Sequence, residues 1–313
     1  MAAHWSEIAL SGWLIKYELF KARPNARILT SRTIVFVHGT PWSSAMFRPI
    51  ATVLHQVHNC NVLLYDLGGY GASQTLDPAV SASKDSRGFT GSTSVRTQAD
   101  ILTALLKHVD LTGSSQGNSP HVIAHDIAGA IAFRAHLLNG AEYASLMCLD
   151  TNVTLHWGDG FYKLCRSESQ VFTQLPGPIY EAMLEAVARS ACVTPHGQAW
   201  EPITSAPWLD GLETAEAKSA QTSFVRQIAQ ADDSDVAKML EKKPYSEVGC
   251  PVRVLWGEQD AWIPREKMEK MAGMLGSKLD GFVVVPEAGH LVMLDQPERV
   301  TAEVVKWIGE NSC

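Results

Sequence analysis

The sequence lacks the features that mark membrane, secreted and nucleic-acid-binding proteins. No apolar run approaches the ~20 residues that a bilayer span needs. The opening "MAAHWSEIALSGWLIKYELFKA" does not resemble a signal peptide, because no basic region precedes an apolar core. The 26 Lys and Arg residues are outnumbered by 33 Asp and Glu and form no stripe, which argues against nucleic-acid binding. We therefore expect neither a membrane nor a nucleic acid as partner.

Cysteine pairs, metal-ligand clusters and phosphate loops are also missing. The six cysteines lie far apart without a CxxC pair, so we expect buried free thiols and a cytoplasmic location. "LHQVHN" offers two histidines but no evident third ligand, and "DLGGYG" lacks the spacing of a dinucleotide-binding loop. The sequence therefore predicts no metal and no cofactor.

What is present is an alternation of short apolar runs and helical patterns. The runs "RTIVFVHGT", "NVLLYDLGGYGAS", "HVIAHD", "SLMCLDTN", "PVRVLWGEQD" and "GFVVVPEAGH" suit strands buried on both faces. Helical segments such as "SVRTQADILTALLKHVDL" and "PERVTAEVVKWIGEN" separate them. This order predicts an α/β fold with a doubly wound, mostly parallel sheet, and residues 1–30 are expected to add antiparallel edge strands.

The alternation breaks between about residues 151 and 243, where the sequence is helical and rich in Trp and Tyr. We predict a core domain formed by residues 1–152 and 244–313, with a helical cap inserted at residues 153–243. Ligands of open α/β sheets bind at the carboxyl ends of the strands. The predicted site therefore lies between the sheet edge and the cap.

Asp126 is the leading candidate for catalysis. It stands at a strand–turn–helix junction, "HVIAHDIAGAIAF", whose small residues permit the sharp turn of a nucleophile elbow. The positive end of the following helix favours a carboxylate there. The alternative is a simple helix N-cap.

Other strand-end loops supply the remaining catalytic groups. Asp260 in "WGEQDAWIP" and His290 in "EAGHLVMLDQPE" complete the order nucleophile, acid, histidine of an α/β-hydrolase triad. The backbone N–H groups of Thr40, in "HGTPWSS", and of Ile127 can form an oxyanion hole. The spacing around Pro41 also permits a cis proline.

Five stretches together, "HGTPWSS", "DLGGYGAS", "AHDIAGA", "WGEQDAWIP" and "EAGHLVMLDQPE", resemble α/β-hydrolase-fold enzymes of the epoxide hydrolase and haloalkane dehalogenase branch. The resemblance implies that Asp126 attacks carbon to form an alkyl ester, which water activated by His290 then hydrolyses. Asp260 would orient the imidazole. Some relatives take this acid from the preceding strand end, so Asp150 is an alternative.

The resemblance also has gaps. Haloalkane dehalogenases usually carry Asn at the position of Thr40 and Trp at that of Ile127, so two halide donors are missing. Epoxide hydrolases protonate the leaving oxygen with cap tyrosines, but no cap tyrosine here lies in an alignable motif. The residues that we expect to line the substrate pocket are Trp42, Trp157, Tyr162 and Tyr180.

The sequence favours an epoxide hydrolase-like enzyme that acts on a small organic molecule of secondary metabolism, as a monomer or homodimer. In a variant of this reaction, an internal hydroxyl replaces water. Three different functions stay open beside it: a dehalogenase of haloacids rather than haloalkanes, a lactone or ester hydrolase that uses Asp126 as a base, and a non-catalytic ligand receptor.

Overall fold

The computed structural model describes residues 4–23, 32–80, 83–113, 118–157, 160–193 and 215–311, with the side chains of 215–218 left out. Within them the strands are β1 (Ser6–Leu10), β2 (Trp13–Phe20), β3 (Thr33–Val37), β4 (Asn61–Tyr65), β5 (His121–His125), β6 (Ser145–Leu149), β7 (Val252–Gly257) and β8 (Leu279–Val285). The core helices are α1 (Arg48–Gln56), α2 (Val95–His108), α3 (Ala128–Asn139), α9 (Arg265–Leu275), α10 (Val292–Asp295) and α11 (Pro297–Glu310). Between β6 and β7, the described residues form the helices α4 (Gly160–Ser167), α5 (Ser169–Phe172), α6 (Gly177–Ser190), α7 (Ala215–Gln230) and α8 (Ser234–Leu240).

One sheet contains all eight strands, in the order β1-β2-β4-β3-β5-β6-β7-β8. β1 and β2 are antiparallel at one edge, and all pairs from β4–β3 to β7–β8 are parallel. The predicted α/β-hydrolase fold is confirmed, and β1 and β2 are the expected antiparallel edge strands. Residues 1–3 and 24–30, also predicted as part of that edge, lie outside the described part.

The central strands are buried because helices cover both faces of the sheet. β5, β6 and β7 are buried at every position, as their continuous apolar runs predict. One apolar cluster packs beneath α2 and α3, and a second packs beneath α1 and α11. Ser94 caps α2 by accepting a hydrogen bond from the backbone N–H of Thr97. The strand ends are therefore held on a rigid scaffold.

The helices between β6 and β7 have an apolar cluster of their own, formed around Cys165, Tyr180, Leu184, Phe224 and Ile228. α8 differs from the others, because its buried side chains Val236 and Met239 belong to the core cluster beneath α2 and α3. The division into a cap of residues 153–243 and a core of 1–152 and 244–313 stays a prediction.

The sequence predicts no membrane span and no metal site, and it predicts free rather than paired cysteines. Across the described residues, no helix is long and apolar enough to cross a membrane, and no group of three His, Cys, Asp or Glu is placed to hold a metal ion. The five described cysteines are free thiols, and four of them are buried. Cys313 lies outside the described residues.

Candidate active site

Asp126 occupies a sharp turn between β5 and α3. Its φ of +55° lies in the left-handed region, which is unusual for a residue with a side chain. The turn is closely packed: a Cβ on Gly39 would lie 2.6 Å from the Asp126 Cβ, and one on Gly129 would lie 2.6 Å from the Thr151 Cβ. The N-cap position of α3 is Ile127 rather than Asp126, so the helix-cap interpretation of Asp126 does not hold.

The two carboxylate oxygens of Asp126 have different surroundings. Oδ2 accepts a hydrogen bond of 3.0 Å from the backbone N–H of Thr40, and the backbone N–H of Ile127 also stabilises the charge. Oδ1 lies 3.9 Å from Nε2 of His290. The structure thus brings together Asp126 and both residues that the sequence proposed for the oxyanion hole.

His290 lies between Asp126 and Asp260. Its Nδ1 is 3.0 Å from Asp260 Oδ2, and both side chains are completely buried. The other oxygen of Asp260 accepts hydrogen bonds from the backbone N–H groups of Trp262 and Ile263, at 2.7 and 3.0 Å. The imidazole is therefore oriented by a carboxylate that the backbone fixes, while its Nε2 has no hydrogen-bond partner among the described residues.

Asp150, the alternative acid, is also fully buried, but its Oδ1 accepts a 2.7 Å hydrogen bond from the backbone N–H of Gly257. The residue hydrogen-bonded to His290 is Asp260.

Burial and nearby charges have opposite effects on the pKa values of Asp126 and His290. Burial raises the pKa of Asp126, and the charge of His290 and the N–H groups of Ile127 and Thr40 partly oppose that rise. For His290, burial lowers the pKa, but the charge and hydrogen bond of Asp260 and the charge of Asp126 outweigh it, so the pKa is raised. Both shifts favour the protonated forms of Asp126 and His290.

A cavity of about 60 Å³ lies in front of Asp126. From the sheet side it is lined by Thr40, Asp126, Ile127, Asn152, Trp262 and Ile263. From the side of the inserted helices it is lined by Trp157, Tyr162, Arg166, Ile228 and Ala231. It is mostly apolar with a few polar groups, as is typical of sites for small molecules.

Of the four residues predicted to line the pocket, the structure places two in the cavity lining and two outside it. Trp157 and Tyr162 line the cavity. Trp42 stands behind it, where its ring stacks on that of Trp262 with centroids 5.5 Å apart. Tyr180 is not in the cavity lining, because its position on α6 turns the ring into the apolar cluster against Phe224, with centroids 5.9 Å apart. Tyr180 was expected to contact substrate, but in the structure its ring packs in the apolar cluster.

Six lining residues were not predicted from the sequence: Asn152, Arg166, Ile228, Ala231, Trp262 and Ile263. A signal in the sequence was available for two of them, Trp262 and Arg166. Trp262 stacks on His290 with centroids 4.6 Å apart and planes at 24°. Its proximity to Asp260 in "DAW" was the available signal. Arg166 follows Tyr162 by four positions on α4, a spacing that places two side chains on the same helix face. That periodicity could have identified Arg166 once Tyr162 was selected.

Comparisons with known proteins agree with this architecture. A protein-family model described as "Alpha/beta hydrolase family" matches residues 34–304. No curated protein matches the sequence. An α/β-hydrolase-fold protein from Burkholderia ambifaria is 29% identical, with 96% of this chain and 97% of that chain covered and a TM-score of 0.77.

More distant solved structures share the fold. The haloalkane dehalogenase DbeA from Bradyrhizobium elkani is 19% identical over 98% of both chains, with a TM-score of 0.72. A thermophilic esterase from Thermogutta terrifontis is 23% identical over 99% of this chain and 100% of that chain, with a TM-score of 0.69. With its parallel sheet, strand-end site and family match over most of its length, this chain belongs to the α/β-hydrolase family.

Proposed function

We propose that the protein is an epoxide hydrolase-like enzyme that opens a small epoxide through a covalent ester on Asp126. The observation that carries this proposal is the different surroundings of the two Asp126 oxygens. The oxygen held by Thr40 is placed to become an ester carbonyl, whereas Oδ1 is left to attack a carbon atom. A serine hydrolase would instead offer the same N–H groups to the carbonyl of its substrate.

In the first step, Oδ1 attacks an epoxide carbon and forms a C–O bond, and the electron pair of the breaking C–O bond moves to the epoxide oxygen. The hydroxyl of Tyr162, on the opposite wall of the cavity, donates a proton or a hydrogen bond to this oxygen. The product of the step is a hydroxyalkyl ester of Asp126.

In the second step, His290 removes a proton from water, and the resulting hydroxide attacks the ester carbonyl. The oxyanion forms at Oδ2, where the N–H of Thr40 stabilises it, and the N–H of Ile127 adds a second donor to the same carboxyl group. Asp260 stabilises the imidazolium through its 3.0 Å contact with Nδ1. Collapse of the intermediate breaks the ester bond, and the alkoxide takes a proton from His290. The proton left on the Asp126 carboxyl group returns to the Tyr162 phenolate, so both groups are restored when the diol leaves.

A dehalogenase of small haloacids is the second candidate. The indole Nε1 of Trp157 is buried at the cavity and has no hydrogen-bond partner among the described residues, so it can donate to a departing halide. The guanidinium of Arg166 lines the same cavity, and its hydrogen bonds within the described chain go to two neutral carbonyls, those of Ala231 and Trp157. A positive charge in this position suits a substrate carboxylate.

Ester or lactone hydrolysis and ligand binding without turnover have less support. For hydrolysis with Asp126 as base, the N–H of Thr40 should be open to the substrate carbonyl, but it is bound to Asp126. A receptor without turnover has no need of an assembled Asp126, His290 and Asp260.

The test is a single turnover in oxygen-18 water with a panel of small epoxides and 2-haloacids, followed by mass analysis of the Asp126 peptide. We expect a substrate-sized adduct on Asp126 in the variant His290→Gln, and heavy oxygen in the wild-type aspartate. His156→Gln, which changes an exposed histidine of the inserted segment, is the matched control and should leave no adduct. A panel that yields neither adduct nor label contradicts the nucleophilic role of Asp126.

Two further variants separate the candidate reactions. Tyr162→Phe should slow epoxide opening by roughly 100-fold or more, as expected for loss of a general acid. Trp157→Phe should affect haloacids more than epoxides, because it removes the indole donor and keeps an aromatic ring.

A further inference from the structure

Two buried carboxyl groups meet beside the catalytic histidine, although only one is hydrogen-bonded to it. Asp150 follows β6 and Asp260 follows β7, the neighbouring strand of the sheet. Both side chains are inaccessible to solvent. The carboxyl groups of Asp150 and Asp260 lie within reach of a mutual hydrogen bond. Two ionised carboxylates this close within an apolar interior repel each other strongly, so the pair favours holding one proton.

The hydrogen-bond partners indicate which group holds that proton. Asp260 receives three donors: the backbone N–H groups of Trp262 and Ile263 on Oδ1, and Nδ1 of His290 on Oδ2. Asp150 receives one donor, the backbone N–H of Gly257 on Oδ1, and its Oδ2 has none among the described residues. Donors stabilise the ionised form, so the geometry favours ionisation of Asp260 over that of Asp150.

The charges around Asp150 act in the same direction. Burial raises the pKa of Asp150 well above its ordinary value, and the charge of Asp260, a hydrogen bond with Asp260 and the charge of Asp295 raise it further. The N–H of Gly257 acts against this rise without cancelling it. No Lys or Arg in the described chain forms an ion pair with Asp150 within 4.0 Å.

We propose that Asp150 is a positioning residue that stays protonated as a neutral carboxylic acid and donates its O–H to the Asp260 carboxylate. The donated hydrogen bond fixes the carboxylate against His290. It also draws negative charge away from Asp260, so that the imidazolium is stabilised less than it would be by a carboxylate lacking this donor. His290 can then release its proton more readily after each turnover.

The proposal builds on the proposed role of His290 as base, but its test needs no substrate and is independent of the adduct experiment. Asn is an isostere of a protonated Asp, because its oxygen can accept from Gly257 and its amide can donate to Asp260. We therefore expect Asp150→Asn to leave the pKa of His290 within about 0.3 units of wild type, measured by NMR titration of the labelled imidazole. Asp150→Ala, which has no donor, should raise that pKa by about half a unit to one unit.

Two outcomes of the titration would overturn the proposal. If Asp150 is ionised in the wild type, the Asn variant loses a negative charge and the pKa of His290 falls clearly. If Asp150 only fills space, neither variant changes the pKa or the shift of the Nδ1 proton. Asp260→Asn shows that the assay responds, because loss of the paired charge must lower the pKa of His290.

A second measurement does not require the Ala variant to fold. The folded-state pKa of Asp150 is raised above its unfolded value, so between the two values the folded state holds one proton more than the unfolded state. Relative to Asp150→Asn, the folding equilibrium constant of the wild type should fall tenfold per pH unit above about pH 4. Asp110→Asn is the matched control, because Asp110 shares the left-handed backbone (φ +58° against +44°) but is exposed. A wild type and Asn variant with parallel pH profiles would refute the neutral acid.

Discussion

Trp262 provides a quantitative test of the electrostatics around the catalytic base. Its indole lies nearly parallel to the His290 imidazole, with centroids 4.6 Å apart and planes at 24°. His290 is fully buried, so little water weakens the interaction between the imidazolium and the aromatic face. The ring therefore stabilises the protonated base in addition to the charge of Asp260.

The size of the effect follows from the burial. A cation over Trp gains about 0.5–1 kcal/mol at an exposed site and about 2 kcal/mol when it is desolvated. Because one pKa unit corresponds to about 1.36 kcal/mol, Trp262→Leu should lower the pKa of His290 by roughly one to one and a half units. Leu keeps the site apolar but has no aromatic face. Trp262→Phe, whose aromatic face is weaker, should produce a smaller decrease.

The assay is NMR titration of the His290 imidazole. The indole N–H of Trp262 also donates to the hydroxyl of Ser190 at 3.0 Å, so Ser190→Ala controls for loss of that hydrogen bond while the ring stays in place. Ser190→Ala should leave the pKa of His290 unchanged. An unchanged or raised pKa in a folded Trp262→Leu variant would show that the aromatic face does not stabilise the imidazolium.

Three further predictions concern the nucleophile, its turn and the inserted helices. Asp126→Asn should abolish adduct formation and raise the free energy of unfolding at pH 8, because burial raises the pKa of Asp126 in the folded state and its ionisation there opposes folding. Denaturant titration should show this gain vanishing below about pH 4, where the carboxyl is protonated in both states. Gly39→Ala should destabilise the fold by roughly 1–3 kcal/mol in the same assay, since its Cβ would lie 2.7 Å from His125 Nδ1 as well as close to Asp126. Tyr180→Phe should leave kcat and KM unchanged where Tyr162→Phe does not, because the Tyr180 ring packs inside the cluster of the inserted helices; a Tyr180→Phe variant with impaired turnover would mean that this ring reaches the substrate.

The sequence predicts the sheet side of the site because chain order determines it. Once β5 and β7 are identified by their apolar runs, the residues that follow them must lie at the same edge of a parallel sheet. Asp126 and Asp260 are located in this way, and His290 follows from β8. Small residues around Asp126 indicate the elbow without any information about distant contacts.

The inserted helices are harder to predict, because residue type alone does not tell which face of a helix meets the substrate. Tyr162 and Tyr180 are the same residue type on two helices of the inserted segment, yet one lines the cavity and the other is buried. The difference is visible in periodicity: Tyr180, Leu184 and Val187 form an apolar stripe that marks the buried face of α6. This stripe packs inside the cluster of the inserted helices, and this tertiary packing keeps Tyr180 from contacting the substrate.

The different roles of the three aspartates of the site also cannot be predicted from residue type alone. Asp126, Asp150 and Asp260 each follow a parallel strand, and nothing in the sequence ranks their acidity. The structure distinguishes them by the number of donors that each carboxyl group receives: three for Asp260, two for Asp126 and one for Asp150. Since donors to the charged form favour ionisation, one residue type can serve in three roles. In the proposed mechanism, Asp260 is the carboxylate hydrogen-bonded to His290, Asp126 is the nucleophile, and Asp150 is a neutral donor. The three roles differ by the number of backbone N–H groups that reach each carboxyl group, so small changes in the loops can exchange them. The loop after β7 determines which aspartate is hydrogen-bonded to the histidine.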